Sequence, residues 1–544
     1  MDEIRENLKQ AIKNLYNLDF DPEITPSPEN IDADYSTNAP LRLAKDLHKS
    51  PMQIAEELNN ELDAEISNPG FLNFKLSDKY LNQKLDALND DFANEIVSSN
   101  FAGKTVICEF SDPNPFKVLH VGHLYTSIMG DSISRLYEYA GAKVIRANFG
   151  GDVGLHVAKT MYILLQKDID NLTIEDIAKS YVEGTAAYEE DEAAKQEITK
   201  LNKEIYKINS ENLHDSKLAE VYWKGRELSY EYFNDFYAKI GVKFDKYYPE
   251  STVAKLGLET VKRELEAGVY EKSDGAVVFK GEPYGLHTRV FINKEGVPTY
   301  EAKDVGLIFT KDKDYHFDKS VVITGNEQKD YMAVVLKSVE QYAPELVEKT
   351  THLTHGLVKL PGNVKMSSRK GNFLKAVDVL DLVRDELKSA YDSTDEKVSL
   401  AATKYAFLKY KMGGDIIFDP KESVKMTGNS GPYLLYSAVR AKKILSNCNN
   451  QTQIDEYIYN IYEKNIIKKL LEYKNVLQES VAEMAPHKVA NYLYELAQDF
   501  SRFYENCQVA GAKEESERVK IVKVYLAIMT HGLDILGIKI PEEM

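Results

Sequence analysis

The segment from residue 105 to residue 149 constrains the fold more than any other part of the sequence. It opens with a short apolar run, TVICEF (105–110), which is typical of a buried strand. After a loop, LYTSIMGDSISRLYEYAG repeats apolar residues at helical spacing, and Gly141 is a suitable helix stop. KVIRANF (143–149) is the next strand. A strand, a helix and a second strand in this order predict a βαβ unit of a doubly wound parallel sheet.

The pattern of polar and apolar residues changes along the rest of the sequence. The whole chain, at 544 residues, is too long for a single hydrophobic core. We predict an N-terminal domain over 1–98, an α/β domain over 99–375 with a mostly helical insertion at about 165–285, a helical linker over 376–410 and a helical domain over 411–544.

Composition indicates a cytoplasmic protein. No apolar run has the length of a bilayer span, and the acidic, amphipathic N-terminus is unlike a secretory or transit leader. Cys108, Cys448 and Cys507 lie far apart with no C-x-x-C spacing, which suits a reducing compartment and offers no thiolate zinc site. We therefore expect no membrane partner and no bound metal.

The net charge of −18 argues against indiscriminate binding of polyanions. It does not exclude a nucleic-acid partner, because such binding depends on local basic patches. Two clusters, RAKKILSNCNN (440–450) and KNIIKKLLEYK (464–474), are candidates. Each is equally compatible with a solvated helix face.

Two histidines stand where the first predicted strand passes into its helix. In an open parallel sheet, ligands bind beyond the carboxyl ends of the strands. His120 and His123 lie at the start of the helix, where N–H groups favour anions, and Gly122 between them allows close approach. The imidazoles could donate hydrogen bonds to a phosphoryl oxygen. The alternative is a pair of half-buried histidines bonded to backbone carbonyls.

A second segment, KMSSRKG (365–371), combines small, hydroxylated and cationic residues before a predicted helix. Such a loop can wrap a polyphosphate with ammonium groups, hydroxyls and backbone N–H groups. The chain contains neither the G-x-x-x-x-G-K-[ST] nor the G-x-G-x-x-G phosphate-binding pattern.

Together these motifs resemble the class I aminoacyl-tRNA synthetases. HVGH (120–123) resembles their His-Ile-Gly-His signature, and KMSSR (365–369) resembles their Lys-Met-Ser-Lys-Ser loop, in the same order. EFSDPNPFKVLHVGH, TYEAKDVGLI, GNSGPYLLYSAVRAKKIL and the tail GLDILGIKIPEEM are similar to the arginyl-tRNA synthetase family. This likeness runs from NPGFLNFKLSD to the C-terminus.

The family resemblance implies a fold. It implies a Rossmann-type catalytic domain with an insertion, a small α+β N-terminal domain that touches the tRNA elbow, and an all-α C-terminal anticodon-binding domain. The family's usual form is a monomer. The insertion looks too small for a separate editing domain, and a site built around a guanidinium can reject other amino acids at the first step.

The resemblance also implies an arginine pocket. Its residues correspond to Glu109, Asn114, His120, Tyr300, Asp304 and Gln328. The chemistry agrees, because a guanidinium is a planar fork of donors best held by carboxylates. Tyr300 and Asp304 are four residues apart, so a helix would project both toward one ligand. The alternative for these two is a surface helix pair.

The implied reaction joins arginine to the α-phosphate of ATP, bound with Mg²⁺, and then passes the arginyl group to the terminal adenosine of tRNA(Arg). His120, His123 and Lys365 would be catalytic. The ATP-binding set implied by the resemblance is His120, Gly122, His123, Lys365, Met366, Ser367, Ser368 and Lys370. Ser368 replaces the second signature lysine, which leaves open whether Arg369 or Lys370 supplies its charge. Members of this family usually require bound tRNA for the first step.

Contacts with tRNA are expected in both outer domains. Asn68, Phe71 and Asn73 are the N-terminal candidates, although Phe71 fits a core position equally well. Tyr433, Tyr436 and Arg440 are the C-terminal candidates, because such side chains stack on or bond to splayed bases. Tyrosines at helical spacing also fit a helix core.

Three rival functions remain on sequence grounds. Another class I synthetase, such as the cysteinyl enzyme, is disfavoured by the absence of a thiolate zinc site. A small-metabolite nucleotidyltransferase would not need the long helical C-terminal half. A tRNA-binding paralogue without catalysis is disfavoured because both signatures are present.

Overall fold

A computed structural model describes residues 2–28, 31–362, 374–448, 454 and 457–544. The N-terminal part contains α1 (Asp2–Tyr16), β1 (Thr25–Pro26), β2 (Tyr35–Thr37), α2 (Ala39–Leu47), α3 (Pro51–Asn59), β3 (Glu65–Ser67) and β4 (Phe71–Phe74). The strands form an antiparallel sheet in the order β1-β2-β4-β3, and the three helices cover it with Leu8, Leu43 and Ile54 among its core residues. This is a small α+β domain, as predicted. Helices α4 (Asp78–Asp90) and α5 (Phe92–Ile96) follow it.

The central part is built on five parallel strands. In chain order they are β5 (Thr105–Glu109), β6 (Lys143–Gly150), β7 (Lys246–Pro249), β11 (Lys319–Gly325) and β12 (Thr350–His355). Their order in the sheet is β12-β11-β5-β6-β7, so β5 is central and the chain winds outward in both directions from it. The crossover helix α6 (Val121–Tyr139) joins β5 to β6. The predicted βαβ unit and the doubly wound parallel sheet are confirmed.

The predicted insertion at about 165–285 needs correction. Helices α7 (Leu155–Leu164), α8 (Ile174–Glu190), α9 (Glu192–Glu211) and α10 (Lys217–Ile240) precede β7 and pack around their own core. Because β7 pairs with β6 in the main sheet, the inserted helices end before it. Beyond β7 lie α11 (Glu250–Glu266) and a small antiparallel sheet of β8 (Glu271–Ser273), β9 (Ala276–Phe279) and β10 (Arg289–Ile292).

The remaining elements of the central part complete the sheet's surroundings. They are α12 (Tyr300–Tyr315), α13 (Lys329–Glu340), α14 (Pro344–Glu348) and β13 (Val358–Lys359), with short 3-10 turns at Glu282–Tyr284 and Asn326–Gln328. Side chains alternate across β5, so Val106 and Cys108 face α6 while Ile107 and Glu109 face α11 and α12.

The C-terminal part is helical. It contains α15 (Ala376–Tyr391), α16 (Glu396–Leu408), β14 (Ile416–Ile417), α17 (Pro420–Ser423), α18 (Gly431–Ser446), α19 (Ile461–Leu471), α20 (Tyr473–Glu483), α21 (Pro486–Asn506) and α22 (Glu515–Ile535). Its core is continuous with that of α6, so the helical part packs directly on the central part. Among the helices in the described ranges, none has the length and apolar composition needed to cross a bilayer.

The basic cluster at 464–474 serves domain packing. Lys464 pairs with Asp78 of α4 at 2.9 Å, and Lys468 pairs with Asp34 of the N-terminal part at 2.8 Å. The two lysines thus hold α4 and the N-terminal part against α19. Lys469 pairs with Glu472 and Glu495 within the helical domain. These contacts favour a structural role for this cluster over nucleic-acid binding.

Candidate active site

The loop after β5 is fastened to the end of β6. Ser111, Asp112 and Phe116 have left-handed backbone angles, with φ of 72°, 47° and 66°. The backbone N–H of Phe149 donates to Asp112 Oδ1 at 2.7 Å, and that of Gly151 donates to Asn114 Oδ1 at 2.8 Å. With its oxygen held in this way, Asn114 keeps the donors of its amide for other partners.

The two histidines form a stacked pair at the start of α6. His120 is the N-cap residue, and its Nδ1 accepts from the Gly122 N–H at 3.1 Å. His123 Nδ1 accepts from the His120 N–H at 3.0 Å, and the ring centroids are 3.8 Å apart. Because each Nδ1 accepts, each neutral ring carries its proton on Nε2. A Cβ on Gly122 would lie 2.9 Å from the His120 ring, so this stacking requires glycine.

Both histidines are neutral at physiological pH. Burial, together with the nearby charge of Lys117, lowers the pKa of His120 to about 4. Burial and the neighbouring His120 hold the pKa of His123 well below its ordinary value. Neutral rings protonated at Nε2 donate hydrogen bonds and carry no charge of their own. The pair can therefore stabilise negative charge that develops on a bound phosphoryl group.

A cavity of about 110 Å³ opens beside the pair. Its lining is Asn114, Lys117, Val118, His120, His123, Ala178, Tyr181 and Val182. The ammonium of Lys117 lies 4.5 Å from the centre of the Tyr181 ring on α8. Lys117 was not predicted from the sequence, although it lies in the same loop, three residues before His120. The contribution of α8, which depends on tertiary packing, was not predicted either.

Helix α12 carries the next set of predicted residues. Tyr300 is its first residue and Asp304 follows one turn later, so the expected helix pair is present. The helix lies very close to α11: a Cβ on Gly257 would meet the Ala302 carbonyl oxygen at 1.9 Å, and one on Gly306 would meet the Val253 oxygen at 2.2 Å. This close crossing fixes the height of Asp304 over the sheet. Tyr300 stays 52% exposed at the helix start.

Asp304 is a buried carboxyl with one strong partner. It is 7% exposed, and the Tyr331 hydroxyl on α13 donates a short hydrogen bond to its Oδ2. Burial raises the pKa of Asp304 to about 8, opposed by the Tyr331 bond and reinforced by Glu109. Tyr331 was not predicted from the sequence, because it lies 27 residues away on another helix.

Glu109 lies on the same side of the sheet and is paired. The Lys311 ammonium donates to Glu109 Oε2 at 2.7 Å, and both side chains are almost fully buried. Lys311 also donates to Ser320 Oγ at 3.1 Å. Glu109 contributes to the raised pKa of Asp304, as expected if the two carboxyls lie near each other on this side of the sheet. Lys311 was not predicted.

Further carboxyls surround this pair. Burial and Glu109 raise the pKa of Asp112 well above its usual range. Glu250 is buried and forms a 2.5 Å ion pair with Lys303. A Cβ on Gly151 would lie 2.8 Å from Asn114 Oδ1 and 2.9 Å from Glu250 Oε1, so the β5 loop and α11 meet here. A region rich in buried carboxyls is suited to a cationic ligand.

The last predicted pocket residue, Gln328, ends the 3-10 turn that follows β11 and is exposed. It therefore lies at the carboxyl end of a central strand, as expected. The predicted phosphate loop, with Lys365, Met366, Ser367, Ser368 and Lys370, lies outside the described residues. The chain after it pairs beside the histidines, because the Val121 N–H donates to the Leu374 oxygen and His120 bridges Lys375.

Two of the three C-terminal candidates, Tyr436 and Arg440, lie in one cluster. The Arg440 guanidinium lies 4.7 Å from the Tyr436 ring centre and 4.8 Å from that of Tyr504, beside a cavity of about 580 Å³. Tyr504, on α21, was not predicted. Tyr433 differs from the expectation: it is half-buried, and its hydroxyl bonds to the Ala497 oxygen and Ser501 at 3.3 Å. Those bonds favour helix packing as its role.

One N-terminal candidate also differs from the expectation. Asn73 is 3% exposed, accepts from Ser36 Oγ at 2.6 Å and donates to Ser67 Oγ at 2.9 Å. Its polar atoms are satisfied inside the sheet, so it does not offer them to RNA. Asn68 is exposed and Phe71 is half-buried.

Three family models match the chain. Residues 87–418 match tRNA synthetases class I (R), catalytic domain; residues 434–544 match the DALR anticodon binding domain; and residues 2–76 match the arginyl tRNA synthetase N terminal domain. The chain belongs to the class I arginyl-tRNA synthetase family. The expected family is thus confirmed on all three of its domains.

Similar proteins extend over the whole chain. Arginine–tRNA ligase of Treponema denticola is 28% identical over 96% of this chain and 94% of its own length. That of Fusobacterium nucleatum subsp. nucleatum is 28% identical over 100% and 99%. The solved Thermus thermophilus arginyl-tRNA synthetase superposes with a TM-score of 0.79 at 24% identity, covering 100% of both chains. The Plasmodium falciparum structure gives 0.78 at 21%, covering 100% and 99%. These superpositions confirm the synthetase fold.

Proposed function

We propose that this chain is an arginine–tRNA ligase, which activates L-arginine with ATP and transfers the arginyl group to the terminal adenosine of tRNA(Arg). The observation that carries the proposal is the pair of buried carboxyls, Glu109 and Asp304, at the same edge of the sheet as two neutral histidines. Carboxyls suit a guanidinium, and neutral donors suit a reacting phosphate. Membership of the family supports both assignments.

In the arginine site, Asp304 and Glu109 bind the guanidinium, and Tyr300 lies over it from the helix start. Asn114, Gln328 and His120 complete the site. Asp304 is mostly protonated in the free protein at neutral pH, so cationic arginine displaces its proton on binding. The substrate therefore creates the ion pair that holds it.

In the first step an arginine carboxylate oxygen attacks the α-phosphorus of ATP, the bond to the bridging oxygen breaks, and pyrophosphate leaves. Charge spreads over the phosphoryl oxygens, so catalysis consists of positioning and electrostatic stabilisation. His120 and His123 donate from Nε2 to the α-phosphate, and Lys117 adds a positive charge in the same cavity. The β- and γ-phosphates of ATP, which binds as its Mg²⁺ complex, are held by Lys365, Met366, Ser367, Ser368 and Lys370.

In the second step a hydroxyl of the terminal adenosine attacks the arginyl carbonyl, and AMP leaves. Arg440, Tyr436 and Tyr504 contact the anticodon loop, because both tyrosine rings beside the Arg440 guanidinium are exposed and can stack on bases. Asn68 and Phe71 contact the tRNA elbow. The protein acts as a monomer in the cytoplasm, where its three free cysteines stay reduced.

Amino-acid-dependent ATP–pyrophosphate exchange, with and without purified tRNA(Arg), tests this function. Arginine is expected to support exchange when tRNA is present, and lysine and cysteine are expected to support none. Exchange with arginine alone would keep the activity and remove the tRNA requirement. Absence of exchange under every condition, with tRNA still bound, would support a binding protein without catalysis.

A further inference from the structure

In each of the two carboxyls of the proposed arginine pocket, Glu109 and Asp304, one oxygen accepts a hydrogen bond from the protein itself. Lys311 donates to Glu109 Oε2 at 2.7 Å, and Tyr331 donates to Asp304 Oδ2. Neither Glu109 Oε1 nor Asp304 Oδ1 accepts a hydrogen bond from the parts of the chain that the structure describes. Each carboxyl therefore keeps one oxygen that can accept a further hydrogen bond.

Both protein partners are themselves held in place. Lys311 is 1% exposed and shares its donors with Ser320 Oγ at 3.1 Å. It lies two turns after Asp304 on α12, so one helix carries a pocket carboxyl and the cation that holds the other. Tyr331 packs under the Arg289 guanidinium, 5.3 Å from its ring centre, and Arg289 pairs with Glu301 at 3.3 Å. The carboxyl orientations are thus fixed from behind.

In this arrangement the charge of Glu109 is already neutralised, whereas the direction in which its oxygen accepts a hydrogen bond is fixed. Because Lys311 already neutralises Glu109, a second cation gains little there from charge alone. An ammonium is a compact point charge and depends on that attraction. A guanidinium is a planar fork that can give one N–H to each of two separately fixed oxygens. At Glu109 the pocket therefore favours a ligand that forms directional hydrogen bonds over one that depends on charge alone.

We propose that Lys311 and Tyr331 are positioning residues that set the preference of the pocket for a guanidinium over an ammonium side chain. The inference rests on the proposed function, because it assumes that arginine binds between Glu109 and Asp304. Neither residue has to touch the substrate. Each acts through the carboxyl that it holds.

The same contacts predict a change in pH dependence. The charged and titratable groups around Asp304 are Glu109 on β5, Asp112 in the loop after β5, Glu250 on α11, Lys311 on its own helix and Tyr331 on α13. Tyr331 and Lys311 lower the pKa of Asp304, whereas the two glutamates raise it. Removing Tyr331 or Lys311 as a partner moves the pKa of Asp304 above about 8, so the pH at which arginine affinity is half-maximal should rise.

The experiment measures dissociation constants for arginine and lysine by calorimetry from pH 6.5 to 9.5. The variants are Tyr331→Phe, Lys311→Gln and Lys311→Arg, and the matched control is Tyr342→Phe, which loses a hydroxyl bonded to Tyr270. We expect Tyr331→Phe and Lys311→Gln each to reduce the arginine-to-lysine affinity ratio by about tenfold and to move the pH midpoint upward. Lys311→Arg should restore most of the ratio, and Tyr342→Phe should leave it unchanged.

An unchanged ratio and midpoint in Tyr331→Phe, at an unchanged melting temperature, would overturn the inference even if Lys311→Gln did not fold. Binding is measured apart from catalysis, so the two proposals fail differently. A protein that binds arginine with the predicted ratios and supports no pyrophosphate exchange would contradict the proposed function alone. A protein that binds no arginine would contradict both.

Discussion

Arginine binding should release a proton from Asp304. The pKa of this carboxyl is raised to about 8, chiefly by burial, and the bound guanidinium requires its ionised form. At pH 7 a group with this pKa is about 90% protonated and at pH 9 about 10%, so we expect roughly 0.9 proton released per arginine at pH 7 and about 0.1 at pH 9. Below pH 8, affinity should fall about tenfold, or ~1.4 kcal/mol, per pH unit.

Calorimetry in buffers of different ionisation enthalpy measures this proton directly. Asp304→Asn should bind arginine more weakly and release almost none. The control is Asp314→Asn on the same helix, whose carboxyl pairs with Lys246 at 3.1 Å and should leave the release unchanged. A wild-type protein that releases no proton at pH 7 would refute the reasoning. Full release from Asp304→Asn would assign the proton elsewhere, with Asp112 the next carboxyl of raised pKa.

Three further substitutions test other parts of the account. His123→Ala should lower the rate of pyrophosphate exchange by about 10²–10³-fold with arginine affinity retained, and a parallel loss of arginine binding would contradict a role at the phosphate. Arg440→Ala should raise the KM for tRNA by an amount equivalent to ~1–3 kcal/mol without changing that for arginine, and an unchanged tRNA KM would remove Arg440 from the interface. Gly306→Ala should lower the free energy of unfolding, measured by urea denaturation, by ~1–3 kcal/mol, because its Cβ would lie 2.2 Å from the Val253 oxygen. The control is Gly414→Ala, whose Cβ meets no atom within 4 Å. Equal stability of the two variants would argue against the close helix crossing.

The parts of the fold that sequence predicts are those with local periodicity. TVICEF and the helix after it carry their pattern in consecutive residues, so the predicted ends of β5 and β6 lie within one residue of the observed ones. The helical repeat that predicts α6 begins at Leu124, three residues after the observed start at Val121. Strand β7 has the sequence KYYP, which contains no apolar run, and its place in the sheet comes only from pairing with β6. The predicted insertion was therefore drawn across it.

The site divides in the same way. Glu109, His120 and Asp304 belong to short motifs that can be read along the chain. Lys311 reaches Glu109 across 202 positions, and Tyr331 reaches Asp304 from another helix, so neither contact has a local sequence signal. Asn73 is a motif residue that was wrongly predicted to contact tRNA. Its side chain is hydrogen-bonded to Ser36 and Ser67 inside the sheet.

The central claim is that this chain attaches arginine to tRNA, and aminoacylation with labelled amino acids tests it most directly. The purified protein should charge tRNA(Arg) with arginine in the presence of ATP and Mg²⁺, form one AMP for each arginyl-tRNA, and leave tRNA(Lys) uncharged. Lysine should not be attached to either tRNA. Charging with another amino acid, or tight binding of tRNA(Arg) with no charging, would contradict the account.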